Sequence, residues 1–272
     1  MRHGAAERED IVAEPLAAKG GTSAKVRSAS KRPLLIRMGS RLRPAVNWAA
    51  ERASKVPIAP IVRESIFPWT AFTRHFWQGI AREADKVLEM HERLPRLRDV
   101  SPDHARIAGD GRWRCFFLQG YGTRIAANCR RTPITSALIQ RIPGLNSAFF
   151  SVLEPGAVIP PHVGVTKGLL TWHLALRTPR DEANCWMRVG DERVHWRQGQ
   201  SVLFDDTFEH EVRNDTDDYR VILLIQIERP MAYPLRVLPD LFLWGIKRTS
   251  FVNEARRNIS KFEEAAGLIE HG

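Results

Sequence analysis

Short apolar or alternating runs, separated by turn residues, fill most of the chain from about residue 112 to residue 228. Runs of this length between turn residues are typical of β-strands. The clearest are Trp113–Gln119, Ala148–Leu153, Leu169–Leu176, Asn184–Val189, Gln200–Phe204, His210–Arg213 and Tyr219–Ile227. Helices do not alternate regularly with them, as the crossovers of a parallel sheet require. The pattern predicts a mainly β fold with a double-stranded β-helix (jelly roll) core and flanking helices.

Helical periodicity lies outside these runs. Phe72, Phe76, Ile80 and Val87 recur at spacings of four or seven and predict one helix over residues 69–91. Further helices are predicted over Thr132–Gln140 and Glu254–Ile269. The chain therefore divides into a disordered basic tail (1–30), a basic amphipathic segment (31–60), a jelly-roll domain with its leading helix (61–235) and a C-terminal helical extension (236–272).

The net charge of +10 is concentrated near the N-terminus, where residues 1–60 hold twelve Lys/Arg and five Asp/Glu. The stretch 34–53 mixes apolar residues and Trp48 with arginines. Such a segment either lies on an anionic membrane surface or packs as a helix on its own domain. We find no sequence pattern of a nucleic-acid-binding module and expect no nucleic-acid partner.

Three widely spaced cysteines, Cys115, Cys129 and Cys185, fit a reducing compartment. The sequence has neither a long apolar span nor the apolar core of a signal peptide. These features predict a cytoplasmic protein, or one held peripherally at the inner face of the membrane.

Three of the nine histidines are predicted to lie in the β core, namely His162, His173 and His210, whereas His195 is predicted on an exposed hairpin. Two histidines on separate strands of a small barrel can converge on its interior, and neutral imidazole suits iron(II). Oxygenases with such sites usually add a carboxylate two residues after the first histidine, but here that position is Gly164. We interpret Asp205 and Asp206 as turn and capping residues rather than ligands.

Four stretches across roughly residues 110–230 carry a more specific signal: SVLEPGAVIPPHVG, WHLAL, FDDTFEHEV and YRVILLIQIERP. In these stretches the chain resembles the aspartyl/asparaginyl β-hydroxylase family. The resemblance implies an iron(II) ion bound by His162 and His210 alone, with Gly164 in the position of the missing carboxylate.

The same resemblance implies residues for the cosubstrate 2-oxoglutarate. Arg220 matches the arginine that clamps its distal carboxylate, and a guanidinium fork pairs well with a carboxylate. Ser151 and His173 match two further residues that contact it. Where the family has an arginine two residues before this last histidine, the chain has Thr171, which argues against an aspartate substrate.

The implied activity is that of an iron(II)- and 2-oxoglutarate-dependent dioxygenase, which uses dioxygen to hydroxylate an unactivated C–H bond in a peptide or protein. The flanks, Phe67–Ala84 and Glu228–Met231, resemble instead bacterial hydroxylases of lipid A acyl chains. The alternative substrate is therefore a fatty acyl chain of lipid A or an ornithine lipid. A third interpretation is a binding protein without catalysis, because a jelly roll alone does not prove activity.

Overall fold

Two antiparallel sheets form the body of the protein in the computed structural model, which describes residues 34–100, 107–249, 252–255 and 257–259. The strands are β1 (Ile61–Val62), β2 (Trp113–Gly120), β3 (Thr123–Arg124), β4 (Leu145–Leu153), β5 (Ala157–His162), β6 (Leu169–Arg177), β7 (Cys185–Val189), β8 (Glu192–His195), β9 (Ser201–Phe204), β10 (His210–Asn214) and β11 (Arg220–Glu228). The major sheet has the order β1-β9-β6-β11-β4-β2-β3 and the minor sheet the order β5-β10-β7-β8.

Helices surround the sheets. They are α1 (Leu34–Ala53), α2 (Pro68–His75), α3 (Trp77–Glu89), α4 (Leu97–Val100), α5 (Ala126–Arg131), α6 (Pro133–Ile139) and α7 (Val237–Lys247). None of the described helices is long and apolar enough to cross a membrane.

Strand alternation divides the apolar side chains into two cores. One core lies between the sheets, where Phe149 and Leu224 of the major sheet meet Met187 and Val212 of the minor sheet. The other lies behind the major sheet, where α3 and α6 cover its outer face through residues such as Ile80. Two antiparallel sheets around one core, with flanking helices, confirm the predicted double-sheet fold.

The same alternation directs several polar side chains into the space between the sheets. Ser151 follows Phe149 by two residues on β4, and Arg220 precedes Leu224 by four on β11, so each shares the inward face of its apolar neighbour. His173 precedes Ala175 by two residues on β6 and therefore shares its inward face. These three polar side chains therefore lie within the apolar core between the sheets.

The prediction of one continuous helix over residues 69–91 is wrong at Phe76. There the chain leaves the helical conformation (φ −95°, ψ 14°). The Phe76 N–H donates to the Thr73 carbonyl at 3.1 Å, so a tight three-residue turn ends α2 before α3 begins. The helix predicted over Thr132–Gln140 is confirmed as α6. Its first N–H groups donate to the buried carboxylate of Glu83.

Two predictions fall wholly or partly outside the described residues. The basic tail over residues 1–30 lies outside them, and of the predicted helix Glu254–Ile269 only short helical stretches at residues 252–255 and 257–259 are described. In the stretch 34–53, α1 is a helix that buries Val46, Ala49, Ala50 and Ala53. It also packs against α7.

Candidate active site

Two histidines from neighbouring strands meet at one end of the minor sheet. His162 is the last residue of β5 and His210 the first of β10, and the two are paired across the antiparallel ladder. Their ring centroids are 4.0 Å apart. Two imidazole nitrogens that share a divalent metal ion lie within about 4.2 Å of each other. The structure thus places the two residues predicted to bind metal side by side at the end of the sheet.

Hydrogen bonds fix the tautomer of both rings. The Nδ1–H of His162 donates to the Pro160 carbonyl at 2.8 Å, and that of His210 donates to the Phe208 carbonyl at 3.0 Å. Because a carbonyl can only accept, each Nε2 keeps its lone pair. Burial, followed by the nearby His210, lowers the pKa of His162 to about 4. Burial also lowers the pKa of His210. Both rings are therefore neutral at physiological pH, as a metal ligand must be.

Asp206 fills the volume next to Gly164. A Cβ added at Gly164 would lie 2.1 Å from Asp206 Oδ1, and the Gly164 N–H donates to the Asp206 carbonyl at 2.6 Å. The Asp206 Oδ2 accepts from Thr171 Oγ1 at 3.1 Å and from Gln226 Nε2 at 3.3 Å. Burial, and then the neighbouring Asp205, raises the pKa of Asp206 to about 6. Glycine is thus required at position 164 by the close approach of Asp206.

The described residues contain no cluster of three His, Cys, Asp or Glu side chains that could hold a metal. Asp206 therefore does not complete a three-residue ligand set with the two histidines in this conformation. Asp205, the other aspartate of this stretch, accepts from the Thr207 N–H at 3.0 Å, as expected of a turn residue.

A buried arginine that the sequence analysis did not single out holds the loop after His162. Arg229 donates to Asp205 Oδ2 at 2.5 Å, to the Lys167 carbonyl at 2.6 Å and to Ser54 Oγ at 3.3 Å. These contacts link the stretch after β9, the loop between β5 and β6, and the residue that follows α1. The sequence analysis noted only the run that contains it, Glu228–Met231, as part of a family resemblance.

Arg220 is a buried cation without an acidic partner. Its side chain is among the largest that are fully enclosed (1% exposed), and no described carboxylate lies within ion-pair distance of it. Its Nη2 donates to Ser151 Oγ at 3.4 Å, while its Nε has no partner among the described residues. Burial lowers the pKa of Arg220 to about 10, so it stays charged at neutral pH. An enclosed, unpaired guanidinium is costly and favours binding of an anion.

Two tryptophans that the sequence analysis also missed lie at this site, one over the cation and one on its neighbour Ser151. The Arg220 guanidinium lies 4.7 Å from the ring centroid of Trp196, and Trp113 Nε1 donates to Ser151 Oγ at 2.9 Å. The buried Trp196 Nε1 has no partner among the described residues. Nothing in the pattern around Trp196 distinguishes it from a core residue, because its role depends on a tertiary contact.

His173 lies between Arg220 and the metal-site histidines. Burial, followed by Arg220 and then His210, lowers the pKa of His173 well below its usual value. Neither ring nitrogen has a hydrogen-bond partner among the described residues. Its ring contacts Trp196 (centroids 6.2 Å apart) and Phe204 (4.9 Å), and Phe204 contacts His210 (5.7 Å). One continuous lining therefore connects the buried cation to the histidine pair.

The comparisons with known proteins show the family of the chain. Residues 74–230 match the family model described as aspartyl/asparaginyl beta-hydroxylase. An ornithine lipid ester-linked acyl 2-hydroxylase from Rhizobium tropici is 35% identical over 222 residues, which is 80% of this chain and 79% of that protein. The human aspartyl/asparaginyl beta-hydroxylase is 30% identical over 163 residues, 58% of this chain and 21% of the human protein.

The similarity of the chain to solved structures is low. A cupin 2 conserved barrel domain protein from Salinispora arenicola covers 48% of this chain and 82% of its own, with 15% identity and a TM-score of 0.30.

These matches identify an enzyme of the hydroxylase class. More specifically, the chain belongs to the aspartyl/asparaginyl β-hydroxylase family, as its sequence motifs indicated.

Proposed function

We propose that the protein is an iron(II)- and 2-oxoglutarate-dependent dioxygenase, and the observation that carries this proposal is the enclosed, unpaired Arg220. The residues fit both groups. His162 and His210 offer two Nε2 lone pairs for the metal. Arg220, with Ser151 beside it, offers a planar donor fork for the distal carboxylate of 2-oxoglutarate. Bound together, iron(II), 2-oxoglutarate and dioxygen supply the oxidation of a C–H bond.

The side chains of the protein orient and enclose these groups. Trp196 lies over the guanidinium of Arg220 and excludes water from one face of it. The neutral ring of His173 can donate one hydrogen bond and accept another, and both nitrogens are available. We assign His173 to the cosubstrate, since it lies between Arg220 and the histidine pair. No side chain is needed as a general base in this assignment.

For the substrate, we favour a fatty acyl chain of a membrane lipid of the ornithine lipid type. The Rhizobium relative matches along four fifths of both chains, whereas the human relative matches along only about a fifth of its own length. The geometry at Thr171 also supports a lipid. Its hydroxyl donates to Asp206, so this position offers no cation for an acidic side chain of a substrate.

A peptide or protein substrate with an Asp or Asn residue is the second candidate. It is favoured by the family description and by the match of residues 74–230 to that model. The two candidates predict different products, because the added oxygen is attached to a lipid acyl chain in one case and to a side chain of a peptide in the other.

The test uses the purified full chain with iron(II) and 2-oxoglutarate, and measures succinate and substrate mass in parallel reactions. Ornithine lipid in detergent micelles and an Asp/Asn peptide are the two substrates, and His162→Ala is the inactive control. We expect succinate formation coupled to a gain of one oxygen atom in the lipid. Coupled oxygen gain in the peptide alone would reverse the order of the candidates. Absence of succinate in every reaction would contradict the dioxygenase assignment.

A further inference from the structure

Helix α7 presents an apolar face to solvent. Val237, Leu238, Leu241 and Trp244 are exposed, with Leu241 at 59% and Trp244 at 55%, and their spacing of three or four places them on one face. The opposite face, with Pro239 and Leu243, is buried beside Gly168. Single exposed apolar residues need no explanation, but a contiguous stripe of this kind marks an interaction surface.

Helix α1, which packs against α7, adds a second exposed aromatic residue. Trp48 is 54% exposed, and Arg41 and Arg52 share its side of the helix at spacings of seven and four. Leu42 is also exposed near the start of the described side chains. The two neighbouring helices thus each expose a tryptophan.

The loop after His162 lies against both helices. Val163 and Val165 are exposed on either side of Gly164, whose carbonyl accepts a hydrogen bond from Arg43 of α1. The Lys167 N–H donates to Asn47 of α1 at 2.9 Å. We call α1, α7 and residues 163–165 the docking surface, and it begins one residue after a metal-site histidine.

The excess of basic residues around the docking surface favours an anionic partner. Residues 41–55 and 236–248 contain seven Lys or Arg and two Asp or Glu. Arginine guanidinium groups lie over three of the aromatic rings: Arg52 over Trp48 at 5.3 Å, Arg248 over Trp244 at 3.8 Å and Arg236 over Tyr233 at 5.0 Å. Trp and Tyr rings favour the interface between water and lipid, and flexible basic side chains reach from there to anionic headgroups.

We propose that the docking surface binds an anionic lipid bilayer and places the loop after His162 at the membrane. This choice of partner rests on the lipid substrate proposed above. A second copy of the chain is disfavoured as the partner, because two surfaces with the same excess of basic residues repel each other.

Vesicle flotation of the full chain tests the proposal. Vesicles of phosphatidylcholine are compared with vesicles that also contain phosphatidylglycerol, at low and at high salt. We expect binding to the anionic vesicles only, and release by salt, which screens exposed charges. Leu241→Ser with Trp244→Ser should weaken partitioning by about 100-fold, roughly tenfold for each large apolar side chain removed.

A matched control replaces two equally apolar residues away from the docking surface. Phe72→Ser with Ile134→Ser changes residues of similar exposure (42% and 41%) on α2 and α6, and should leave partitioning unchanged. Deletion of residues 1–53 is a poorer test, since it also removes the buried face of α1 and the hydrogen bond from Arg43 to Gly164.

Equal binding to neutral and anionic vesicles, or no binding to either, would overturn the proposal. So would a dimer in sedimentation experiments that the α7 double variant dissociates while no vesicle binding occurs. The micelle assay separates this proposal from the proposed function. Hydroxylation of lipid in micelles without flotation refutes only the docking surface, whereas flotation without hydroxylation in micelles or vesicles refutes only the lipid substrate.

Discussion

Replacement of Arg220 by methionine, a neutral side chain of similar length, should stabilise the protein in the absence of cosubstrate. Burial lowers the pKa of Arg220 to about 10 from its ordinary value. The fold therefore disfavours the charged side chain by about 3 kcal/mol at neutral pH. Arg220→Met removes this penalty together with a long hydrogen bond to Ser151 (3.4 Å). The free energy of unfolding should rise by up to about 3 kcal/mol, or by roughly 6–12 °C in Tm.

The same variant should lose its affinity for 2-oxoglutarate. A charge-assisted hydrogen bond contributes about 1.5–3 kcal/mol, so loss of a two-bond clamp should raise Kd at least about 100-fold. A ligand at 100 times its Kd stabilises a protein by about 2.7 kcal/mol. Saturating 2-oxoglutarate should therefore raise the Tm of the wild type but leave that of Arg220→Met unchanged.

Denaturant or thermal unfolding, with and without 2-oxoglutarate, measures both effects. Arg177→Met is the matched control, because Arg177 is an exposed arginine at the end of β6 in the same sheet, and neither quantity should change. A cosubstrate-free Arg220→Met protein that is less stable than the wild type would show that Arg220 is already compensated. The argument that it requires an anion would then fail.

The remaining predictions concern the metal site and its surroundings. His162→Ala or His210→Ala should abolish iron binding measured by calorimetry, and retention of stoichiometric iron in either variant would refute the two-histidine site. Gly164→Ala places a Cβ 2.1 Å from Asp206 Oδ1, so it should cost about 1–3 kcal/mol in unfolding free energy, unless Asp206→Gly is added to restore space. Asp205→Ala strips a buried guanidinium of its partner and should cost about 3–5 kcal/mol by the same measurement. Since burial lowers the pKa of His162 to about 4, protons should compete with iron only as the pH falls toward that value. Burial lowers the pKa of His210 as well, so the affinity for iron should not decline steeply near pH 6.5, where a free imidazole titrates, and such a decline would contradict this.

Most of the double-sheet fold could be predicted from strand-length runs, but β5 could not. The stretch Ala157–His162 contains Pro160 and Pro161, which lack the N–H that an interior strand donates. Among the described strands, β5 is an edge strand of the minor sheet and pairs only with β10. A position at the edge tolerates both prolines, and this position depends on the tertiary arrangement rather than on local pattern.

The break at Phe76 was not predictable for a related reason. Apolar spacing continues through the break, so periodicity alone predicts one helix over residues 69–91. The helix is interrupted by a single tight turn, in which the Phe76 N–H donates a hydrogen bond to the Thr73 carbonyl. Periodicity reports which face of a segment is buried, but it does not report one non-helical residue within that segment.

The sequence predicted some residues of the candidate site but not others. Sequence motifs indicated His162, His210, Ser151, His173 and Arg220, and the structure brings all five into one lining between the sheets. Trp196 and Arg229 were not found, because each acts through contacts with residues far away in the sequence. The motif supplies the residues that match a known pattern, while the packing around them becomes visible only in three dimensions.

The pairing of the two candidate metal-binding histidines follows from how closely the chain segments around them approach each other. Pairing of β5 with β10 sets His162 opposite His210, and two residues later the Gly164 N–H bonds the Asp206 carbonyl at 2.6 Å. The Asp206 side chain fills the space in which a Cβ of residue 164 would lie, so a carboxylate ligand at this position would collide with Asp206. In the proposed function, iron(II) would have two protein ligands, which would leave more of its coordination positions for cosubstrate and water. In the same proposal, Arg220 would supply the charge that fixes the far end of the cosubstrate.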